Sequence, residues 1–288
     1  MRKIGIVDYF IDEYHSNKYL ELFKKANEEL GFDFVIAYAY AEIDKEGRRS
    51  TEQWCKDTGV TRCMSIDELC EKSDNILILA PANPETHLRY AEQVLKYGKN
   101  TYIDKTFAPD FKTAKKIFDI ANSYNTKIFS TSALRYAEEL EGYNNVKSLI
   151  VTGAGSSLEE YIIHQIEIAV SIVGTNVTDV KVFNRGRQAT VLIDFSGVLV
   201  TLNYAHSECL FSVDADIPGE RLCKYKRMES DNYFYTLSRE ILKFFCSSVL
   251  PFKNEETLCV MAIRDAIIEG MHKKQGVSIA VADFNGVR

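Results

Sequence analysis

The sequence has no closely spaced pair of cysteines, although it contains seven of them. An odd number of scattered cysteines is not typical of a disulfide framework or of a zinc knuckle. We therefore expect reduced cysteines that pack as small apolar side chains. The histidines show no metal-ligand spacing with one another either, so no metal site is expected. These histidines are His15, His87, His164, His206 and His272.

Long apolar runs are also missing. No stretch approaches the roughly 18 apolar residues of a membrane-spanning helix, and the first residues are too briefly apolar for a signal peptide. We therefore expect a cytoplasmic protein with no membrane partner. An excess of positive charge is lacking as well, because 35 Lys and Arg residues and 41 Asp and Glu residues give a formal net charge of −6. Since a field of that sign repels polyanions, no nucleic-acid partner is expected.

The first 131 residues alternate short apolar runs with amphipathic segments. Uninterrupted apolar or β-branched runs are typical of parallel strands that are covered on both faces. The candidate strands are Lys3–Val7, Phe34–Tyr40, Ile76–Ala80, Thr101–Ile103 and Lys127–Thr131. Between them we expect one helix capped by Ser16 and closed by Gly31, another entered through Asn83-Pro84, and a third opened by Asp110. Residues 1–131 are therefore predicted to form an α/β domain with a doubly wound, Rossmann-like parallel sheet.

The pattern changes after about residue 145. A helix is expected over Leu158–Val173, ending at Gly174, and β-branched runs separated by short turn signals follow it. These runs are Thr178–Phe183, Thr190–Phe195, Val198–Tyr204 and Leu210–Ile217. Short connections favour hairpins, so this sheet should be mainly antiparallel. With two further helices, at about Asn232–Ser247 and Glu255–Lys273, residues 132–288 are predicted to form an α+β domain.

The most specific segment follows the Ile76–Ala80 strand, because ligands of open α/β sheets bind at the carboxyl ends of parallel strands. It contains Pro81 and His87, then Gly98-Lys99, and then Asp104-Lys105-Thr106 after the next strand. With Ser132-Ala133-Leu134-Arg135 further on, it resembles the Gfo/Idh/MocA oxidoreductases, a family that includes inositol dehydrogenase and glucose–fructose oxidoreductase. The family has Glu-Lys-Pro where this chain has Asp104-Lys105-Thr106. The resemblance covers nearly the whole chain.

The resemblance implies an NAD(P)-dependent dehydrogenase that acts on a small molecule of the sugar or polyol class, with NAD or NADP as cofactor. It also implies a homodimer or tetramer that associates through the second-domain sheet, as closed symmetry favours. The residues expected to contact the cofactor are Asp8, Tyr9, Phe10, Ala80, Pro81, Asn83, His87 and Asp104. Those expected to contact substrate are Lys105, Arg135 and His164.

Two residues of the Leu158–Val173 helix, Glu160 and His164, are candidates for catalysis together with Lys105. Glu160, His164 and Glu167 are spaced i, i+4 and i+7, so they project from one helical face. A carboxylate one turn from a histidine can orient the imidazole for general-base work. The family pattern is Asp-x-x-x-His-x-x-Asp, and it implies that His164 takes the hydroxyl proton while Lys105 stabilises the developing alkoxide. Taken singly, His164 could be a core histidine, Glu160 a helix-dipole partner and Lys105 a solvated charge.

The turn after the first strand departs from the family. A dinucleotide site needs glycines there, so that backbone N–H groups can approach the pyrophosphate. This chain instead has Asp8-Tyr9-Phe10-Ile11-Asp12-Glu13, whose bulk and negative charge oppose a diphosphate. At the end of the second strand, Glu42 is the first candidate for the ribose carboxylate and Asp44 is the next, although Glu42 is favoured as a solvated loop carboxylate. Two hypotheses remain open: a dehydrogenase, or a redox-inactive relative that binds a small ligand or serves in an assembly.

Overall fold

The computed structural model describes residues 1–205 and 207–284, so His206 lies outside the described residues. The chain folds as two compact units. Among the described residues, the first unit contains Met1–Thr131 and Phe234–Phe252, and the second contains Ser132–Tyr233 and 253–284. The boundary predicted from the sequence also follows residue 131, but that prediction assigns 234–252 to the second domain, whereas the structure groups this segment with the first unit.

The secondary structure alternates in the first unit and becomes strand-rich in the second. The strands are β1 (Arg2–Asp8), β2 (Phe34–Ala41), β3 (Thr61–Arg62), β4 (Asn75–Ile78), β5 (Thr101–Ile103), β6 (Ile128–Phe129), β7 (Ser148–Gly153), β8 (Asp179–Arg185), β9 (Gln188–Phe195), β10 (Val198–Tyr204), β11 (Ser212–Asp216), β12 (Lys224–Arg227) and β13 (Ser278–Ile279). The helices are α1 (Tyr14–Leu30), α2 (Thr51–Thr58), α3 (Ile66–Lys72), α4 (His87–Val94), α5 (Phe111–Ser123), α6 (Leu158–Val173), α7 (Tyr233–Ser247) and α8 (Asn254–Met271).

The sheet of the first unit has the strand order β3-β2-β1-β4-β5-β6, and every pair in it is parallel. This is the order of a doubly wound dinucleotide-binding fold, in which ligands bind outside the carboxyl ends of β1 and β4. The four residues of β4 are all buried, as expected for a central strand covered on both faces. The predicted parallel, Rossmann-like class is confirmed.

The sheet of the second unit has the order β12-β11-β7-β10-β9-β8-β13. Its pairs are antiparallel except for β7 with β10, so the predicted mainly antiparallel sheet is confirmed. Side chains alternate along the strands, with Leu149 and Val151 buried and Ile150 exposed. Helices α6 and α8 pack against each other, and both contact this sheet. The other face keeps exposed apolar side chains, among them Ile150, Phe183 and Leu199.

The observed helix ends agree only in part with those predicted from the sequence. Asp110 caps α5 by accepting the N–H of Thr113, and Gly31 closes α1 at a left-handed φ of 65°. The prediction that Ser16 caps α1 is wrong, because Glu13 is the capping residue and Ser16 lies within the helix. The prediction for Asn83-Pro84 is also wrong in part: the segment forms a 3-10 turn without a side-chain cap, and α4 begins at His87.

Several short elements have no sequence-based counterpart. The two residues of β3 are exposed and carry no apolar run, so neither periodicity nor hydrophobicity indicates a strand there.

All seven cysteines are free, but only four are buried; Cys209, Cys223 and Cys246 are exposed, contrary to the expectation of core packing. In the described part of the chain, no helix is both long and apolar enough to cross a membrane.

Candidate active site

Asp8 ends β1 and is fully buried. Its Oδ1 accepts the N–H groups of Tyr9 (2.7 Å) and Ala80 (3.0 Å), and its Oδ2 accepts the hydroxyl of Ser16 (2.8 Å). Burial raises the pKa of Asp8 well above its usual value, and the negative charge of Glu13 raises it further. Asp8 therefore ties the ends of β1 and β4 to the first turn of α1.

Glu13 occupies the start of α1. Its carboxylate accepts the N–H groups of His15 (2.8 Å) and Ser16 (2.5 Å), which are among the donors that a helix leaves unpaired at its N-terminus. Burial also raises the pKa of Glu13, despite the opposing charge of His15. The helix end that receives a pyrophosphate in a doubly wound fold is thus already capped by a carboxylate of the chain itself.

Asp8 and Glu13 stand at positions that glycines occupy in a dinucleotide-binding turn. Residues 8, 10 and 13 have the separations of the three glycines of a G-x-G-x-x-G turn, but they are Asp8, Phe10 and Glu13. Phe10 stands where the middle glycine would let the backbone approach the ligand, and the ammonium of Lys45 lies 4.2 Å from its ring centre. As they stand, these residues do not fit a dinucleotide diphosphate at the start of α1.

Glu42, the candidate for a ribose carboxylate, is also engaged. It follows β2, where its Oε2 accepts the hydroxyl of Tyr90 (2.7 Å) and forms an ion pair with Arg89 (2.7 Å). The sequence analysis favours a solvated loop carboxylate at this position, and the structure corrects that expectation. The side chain is held by α4 within the first unit.

His15 and Asp104 form a buried pair beside this turn. The imidazole Nδ1 hydrogen-bonds Asp104 Oδ2, and Oδ1 accepts the hydroxyl of Tyr102 (3.1 Å). Burial opposes both charges, but each partner stabilises the other, so the pKa of His15 is raised and that of Asp104 is lowered. The pairing therefore favours the protonated imidazole and the ionised carboxyl group. Sequence reasoning named Asp104 as a cofactor contact but did not connect it with His15.

The residues after β4 are held by the backbone and by a buried histidine. Ala80 has a left-handed φ of 51°, Pro81 is half-buried, and Asn83 donates its side-chain amide to Glu85. His87 is fully buried, with Nε2 2.6 Å from the carbonyl of Leu79. Burial lowers the pKa of His87, which favours the neutral ring as a donor between β4 and α4. This arrangement stabilises the loop after β4.

Lys105 follows β5 and is half-buried, and its backbone N–H donates to Asp104 Oδ1 (2.9 Å). The peptide bond between Lys105 and Thr106 is cis. Lys105 is thus tied through its backbone to the buried His15–Asp104 pair. The structure brings Asp8, Ala80, Asp104 and Lys105 to the carboxyl ends of neighbouring strands of the first unit.

His164 lies on α6 in the second unit. Its Nδ1 is 2.6 Å from the hydroxyl oxygen of Ser132, which also accepts the N–H of Leu134 (3.2 Å). Glu160 lies in the first turn of α6, where its carboxylate accepts the hydroxyl of Ser156 (3.3 Å). Sequence reasoning gave the orienting role to Glu160 and missed Ser132. That serine is 32 positions away in the sequence, so no local spacing relates it to His164.

Two aromatic rings flank His164. The ring centres of Tyr161 and Phe211 each lie 5.7 Å from that of His164. Tyr161 packs against Gly155, and Phe211 packs against Gly153. A Cβ atom added at Gly155 would lie 2.0 Å from Tyr161, and one added at Gly153 would lie 2.4 Å from Phe211. Glycine at both positions therefore allows the two rings to enclose the imidazole.

Arg135 is buried between two carboxylates of the second unit. It forms ion pairs with Glu167 (3.1 Å) and Glu256 (2.7 Å). Burial opposes its charge, but the two carboxylates outweigh that effect and raise the pKa of Arg135. Glu167, one turn after His164, is held by this guanidinium. The predicted contact between Arg135 and substrate stays a prediction.

Comparison with known proteins identifies the first unit. Residues 2–132 match the GFO_IDH_MocA family model, described as an oxidoreductase family with an NAD-binding Rossmann fold. Over these residues, the chain is similar to the Gfo/Idh/MocA oxidoreductase family. The predicted family is thereby confirmed, and the family description agrees with the expected oxidoreductase class and nicotinamide cofactor.

Curated relatives match short segments. The chain is 33% identical over 58 residues to the Escherichia coli protein named "Uncharacterized oxidoreductase YhhX", and 35% identical over 60 residues to "Uncharacterized oxidoreductase C26H5.09c" of Schizosaccharomyces pombe. The aligned segments cover 20% and 21% of this chain. They span only 17% and 16% of the two relatives, respectively.

Solved structures of several dehydrogenases and oxidoreductases match nearly the whole chain. A myo-inositol dehydrogenase from Lactobacillus casei, in complex with NAD(H) and myo-inositol, has a TM-score of 0.79 at 11% identity and 98% coverage of both chains. An oxidoreductase from Agrobacterium radiobacter, in complex with NAD+, L-tartaric acid and magnesium, has a TM-score of 0.78 at 12% identity, covering 97% of this chain and 98% of that one. At such identities the likeness shows the shared fold.

Proposed function

We propose that this chain oxidises or reduces a hydroxyl group of a sugar, a polyol or a related small molecule, with NAD or NADP as the redox partner. The match of residues 2–132 to an oxidoreductase family supports the oxidoreductase class. The observation that carries the substrate side is the hydrogen bond between Ser132 and Nδ1 of His164, which fixes a half-buried imidazole on α6. An oriented imidazole is suited to move a hydroxyl proton.

In this proposal His164 acts through Nε2, because Nδ1 is directed at Ser132. A neutral imidazole that accepts a proton at Nε2 must carry its own proton on Nδ1, and this N–H then donates a hydrogen bond to the hydroxyl oxygen of Ser132. Tyr161 and Phe211 limit the movement of the ring. Glu160 is proposed to assist from one turn earlier, as a carboxylate near the protonated imidazole.

Lys105 is proposed to donate a hydrogen bond to the reacting oxygen and to stabilise negative charge on it. Its backbone is fixed by Asp104, which in turn is held by His15 and Tyr102. Arg135 is proposed to contact substrate, with its guanidinium orientation set by Glu167 and Glu256. The proposed surroundings of the cofactor remain Asp8, Tyr9, Phe10, Ala80, Pro81, Asn83, His87 and Asp104.

A second candidate function is a redox-inactive relative that binds a small hydroxylated ligand or serves in an assembly. The observation that favours it is the capping of α1 by Glu13, together with the buried carboxylate of Asp8. Both occupy the region where the fold would receive a diphosphate. The two candidates differ in whether a nicotinamide dinucleotide binds.

We also propose that the protein forms a homo-oligomer through the open face of the second sheet. Ile150 and Leu199 are 40% and 51% exposed on adjacent strands of that face, and Phe183 is exposed on β8. Apolar side chains grouped on one face of a sheet are typical of an interaction surface. Closed symmetry through one self-complementary face gives a dimer.

Thermal unfolding with NAD+, NADH, NADP+ and NADPH, each at millimolar concentration, separates the two functions. A ligand present at about 100 times its Kd stabilises the native state by roughly 2.7 kcal/mol. For a chain of this size the Tm rises by about 2–4 °C per kcal/mol. A rise with one of the cofactors, increased by a polyol, supports the oxidoreductase. No shift with any cofactor, but a shift with a polyol, supports the redox-inactive relative.

A further inference from the structure

The start of α1 has one feature that the family description does not account for. The three glycine positions of the turn hold Asp8, Phe10 and Glu13, and the two carboxylates take four backbone N–H groups between them. Two of these donors, at His15 and Ser16, belong to the first turn of α1. A diphosphate bound at this helix end would need the same donors.

The two carboxylates differ in how firmly they are held. Asp8 is fully buried and accepts two N–H groups and the hydroxyl of Ser16, so it cannot leave without breaking the join between β1, β4 and α1. Glu13 is 7% exposed, and within the described part of the chain its carboxylate accepts hydrogen bonds from the helix N-terminus alone. Rotation of one longer side chain would open that helix end, whereas Asp8 is part of the framework.

We propose that Glu13 is a built-in occupant of the anion site at the start of α1, and that it competes with the diphosphate of a nicotinamide dinucleotide. This inference rests on the proposed cofactor class, but not on the identity of the substrate or on turnover. The chain caps its own helix, so the fold is complete without a nucleotide. A dinucleotide must displace Glu13 before it can use the N–H groups of His15 and Ser16.

The charges around the start of α1 also oppose the binding of a diphosphate. The charge of Glu13 raises the pKa of Asp8, and the charge of Asp104 likewise raises the pKa of Glu13. The compensating positive groups are His15, paired with Asp104, and Lys105, which follows it. A diphosphate that entered without displacing Glu13 would add negative charge next to a buried carboxylate. The cost falls on diphosphate-bearing ligands and spares ligands without that group.

The test uses two substitutions at position 13. Glu13→Gln keeps an oxygen that can accept the N–H groups of α1 but removes the charge, and Glu13→Ser supplies a shorter neutral cap. Glu21→Gln removes the same charge from an exposed position of α1 and serves as the matched control. Circular dichroism and thermal unfolding first establish that each variant is folded.

Calorimetric titration then measures the affinities for NADH, ADP-ribose and adenosine. ADP-ribose keeps the diphosphate and lacks nicotinamide, whereas adenosine has no phosphate. The expected result is an increase of about tenfold or more in affinity for NADH and ADP-ribose in Glu13→Gln or Glu13→Ser, with adenosine unchanged and the control like the wild type. This increase supports the inference even if the wild-type protein binds too weakly to measure.

Two results overturn the inference, and they differ in what they mean for the proposed function. If wild type and both variants bind NADH with equal affinity, Glu13 does not compete, and the oxidoreductase proposal is unaffected. If neither the wild type nor any folded variant binds NADH or ADP-ribose at millimolar concentration, Glu13 is not what excludes the dinucleotide. The nicotinamide-dependent function then also fails, and the redox-inactive relative is left.

Discussion

The hydroxyl oxygen of Ser132 lies 2.6 Å from Nδ1 of His164, and it also accepts the backbone N–H of Leu134. The serine is therefore fixed by a turn of the backbone before it meets the imidazole. If His164 accepts a proton at Nε2, its neutral form must be the Nδ1–H tautomer.

This relationship gives the first prediction. In protein with ¹⁵N-labelled histidine, the chemical shifts of His164 should report the Nδ1–H tautomer in the wild type, and Ser132→Ala should produce a mixture of tautomers because the partner of Nδ1 is lost. Ser171→Ala is the control, because Ser171 lies on the same helix and its hydroxyl donates to the carbonyl of Ile168. A wild-type His164 protonated on Nε2 at neutral pH would contradict the general-base role.

The rings around His164 give a second prediction. Gly155→Ala places a methyl group 2.0 Å from the present position of Tyr161, so that ring must move away from the imidazole. Forced repacking of this kind typically costs about 1–3 kcal/mol. We expect lower stability in urea denaturation together with a changed His164 chemical shift. Gly186→Ala is the comparison, because its added methyl meets nothing within 4 Å although its φ of 61° is strained. An unchanged His164 chemical shift in Gly155→Ala would contradict the packing argument.

The buried charges around Arg135 give a third prediction. Arg135→Met leaves the carboxylate of Glu167, whose side chain is only 3% exposed, without its guanidinium partner. Removal of one member of a buried ion pair costs on the order of 3–5 kcal/mol, measured as the free energy of unfolding in urea. Lys116→Met breaks an exposed pair with Glu92 and should cost no more than about 1 kcal/mol. Equal losses in the two variants would be evidence against the buried arrangement.

Stability should also depend on pH through Asp8. Its pKa is raised in the folded chain, mainly by burial and also by the charge of Glu13. The folded state then binds a proton that the unfolded state releases, so stability falls as pH rises from the ordinary Asp value of 3.8 to the raised folded value. Each tenfold difference in proton affinity between the two states corresponds to about 1.4 kcal/mol. The urea concentration at the unfolding midpoint should fall less steeply with rising pH in Asp8→Asn than in the wild type. Asp119→Asn, which changes an exposed carboxylate, is the control and should behave like the wild type. Parallel curves for all three proteins would contradict a buried Asp8 that binds a proton.

Much of the fold could be predicted from local pattern. The helix Leu158–Val173 and the strand Val198–Tyr204 have the predicted bounds, because a cap, a closing glycine and apolar periodicity mark them within a short window. The Rossmann-like class follows from uninterrupted apolar runs such as that of β4. The grouping of α7 with the first unit was not predicted, because a helix's position in the sequence gives no information about what it packs against.

The candidate site was less accessible to sequence reasoning, because its contacts join distant segments. His15 meets Asp104 across 89 positions, and no pattern relates them. The capping role of Glu13 had a signal that could have been used, since residues 8, 10 and 13 have the spacing of the missing glycines. Burial of Asp8 could not be foreseen, because a carboxylate beside a diphosphate turn is ordinarily solvent-exposed.

The central claim is that this chain oxidises or reduces a hydroxyl group with a nicotinamide cofactor. The most direct measurement is turnover with NAD+ and NADP+ across a panel of sugars and polyols, followed by the absorbance of the reduced nicotinamide. The account predicts turnover with at least one cofactor and one polyol, lost in Lys105→Ala and in His164→Ala while both variants remain folded. If the folded wild-type protein gives no turnover with either cofactor across the panel, or if Lys105→Ala and His164→Ala leave turnover unchanged, the account is contradicted.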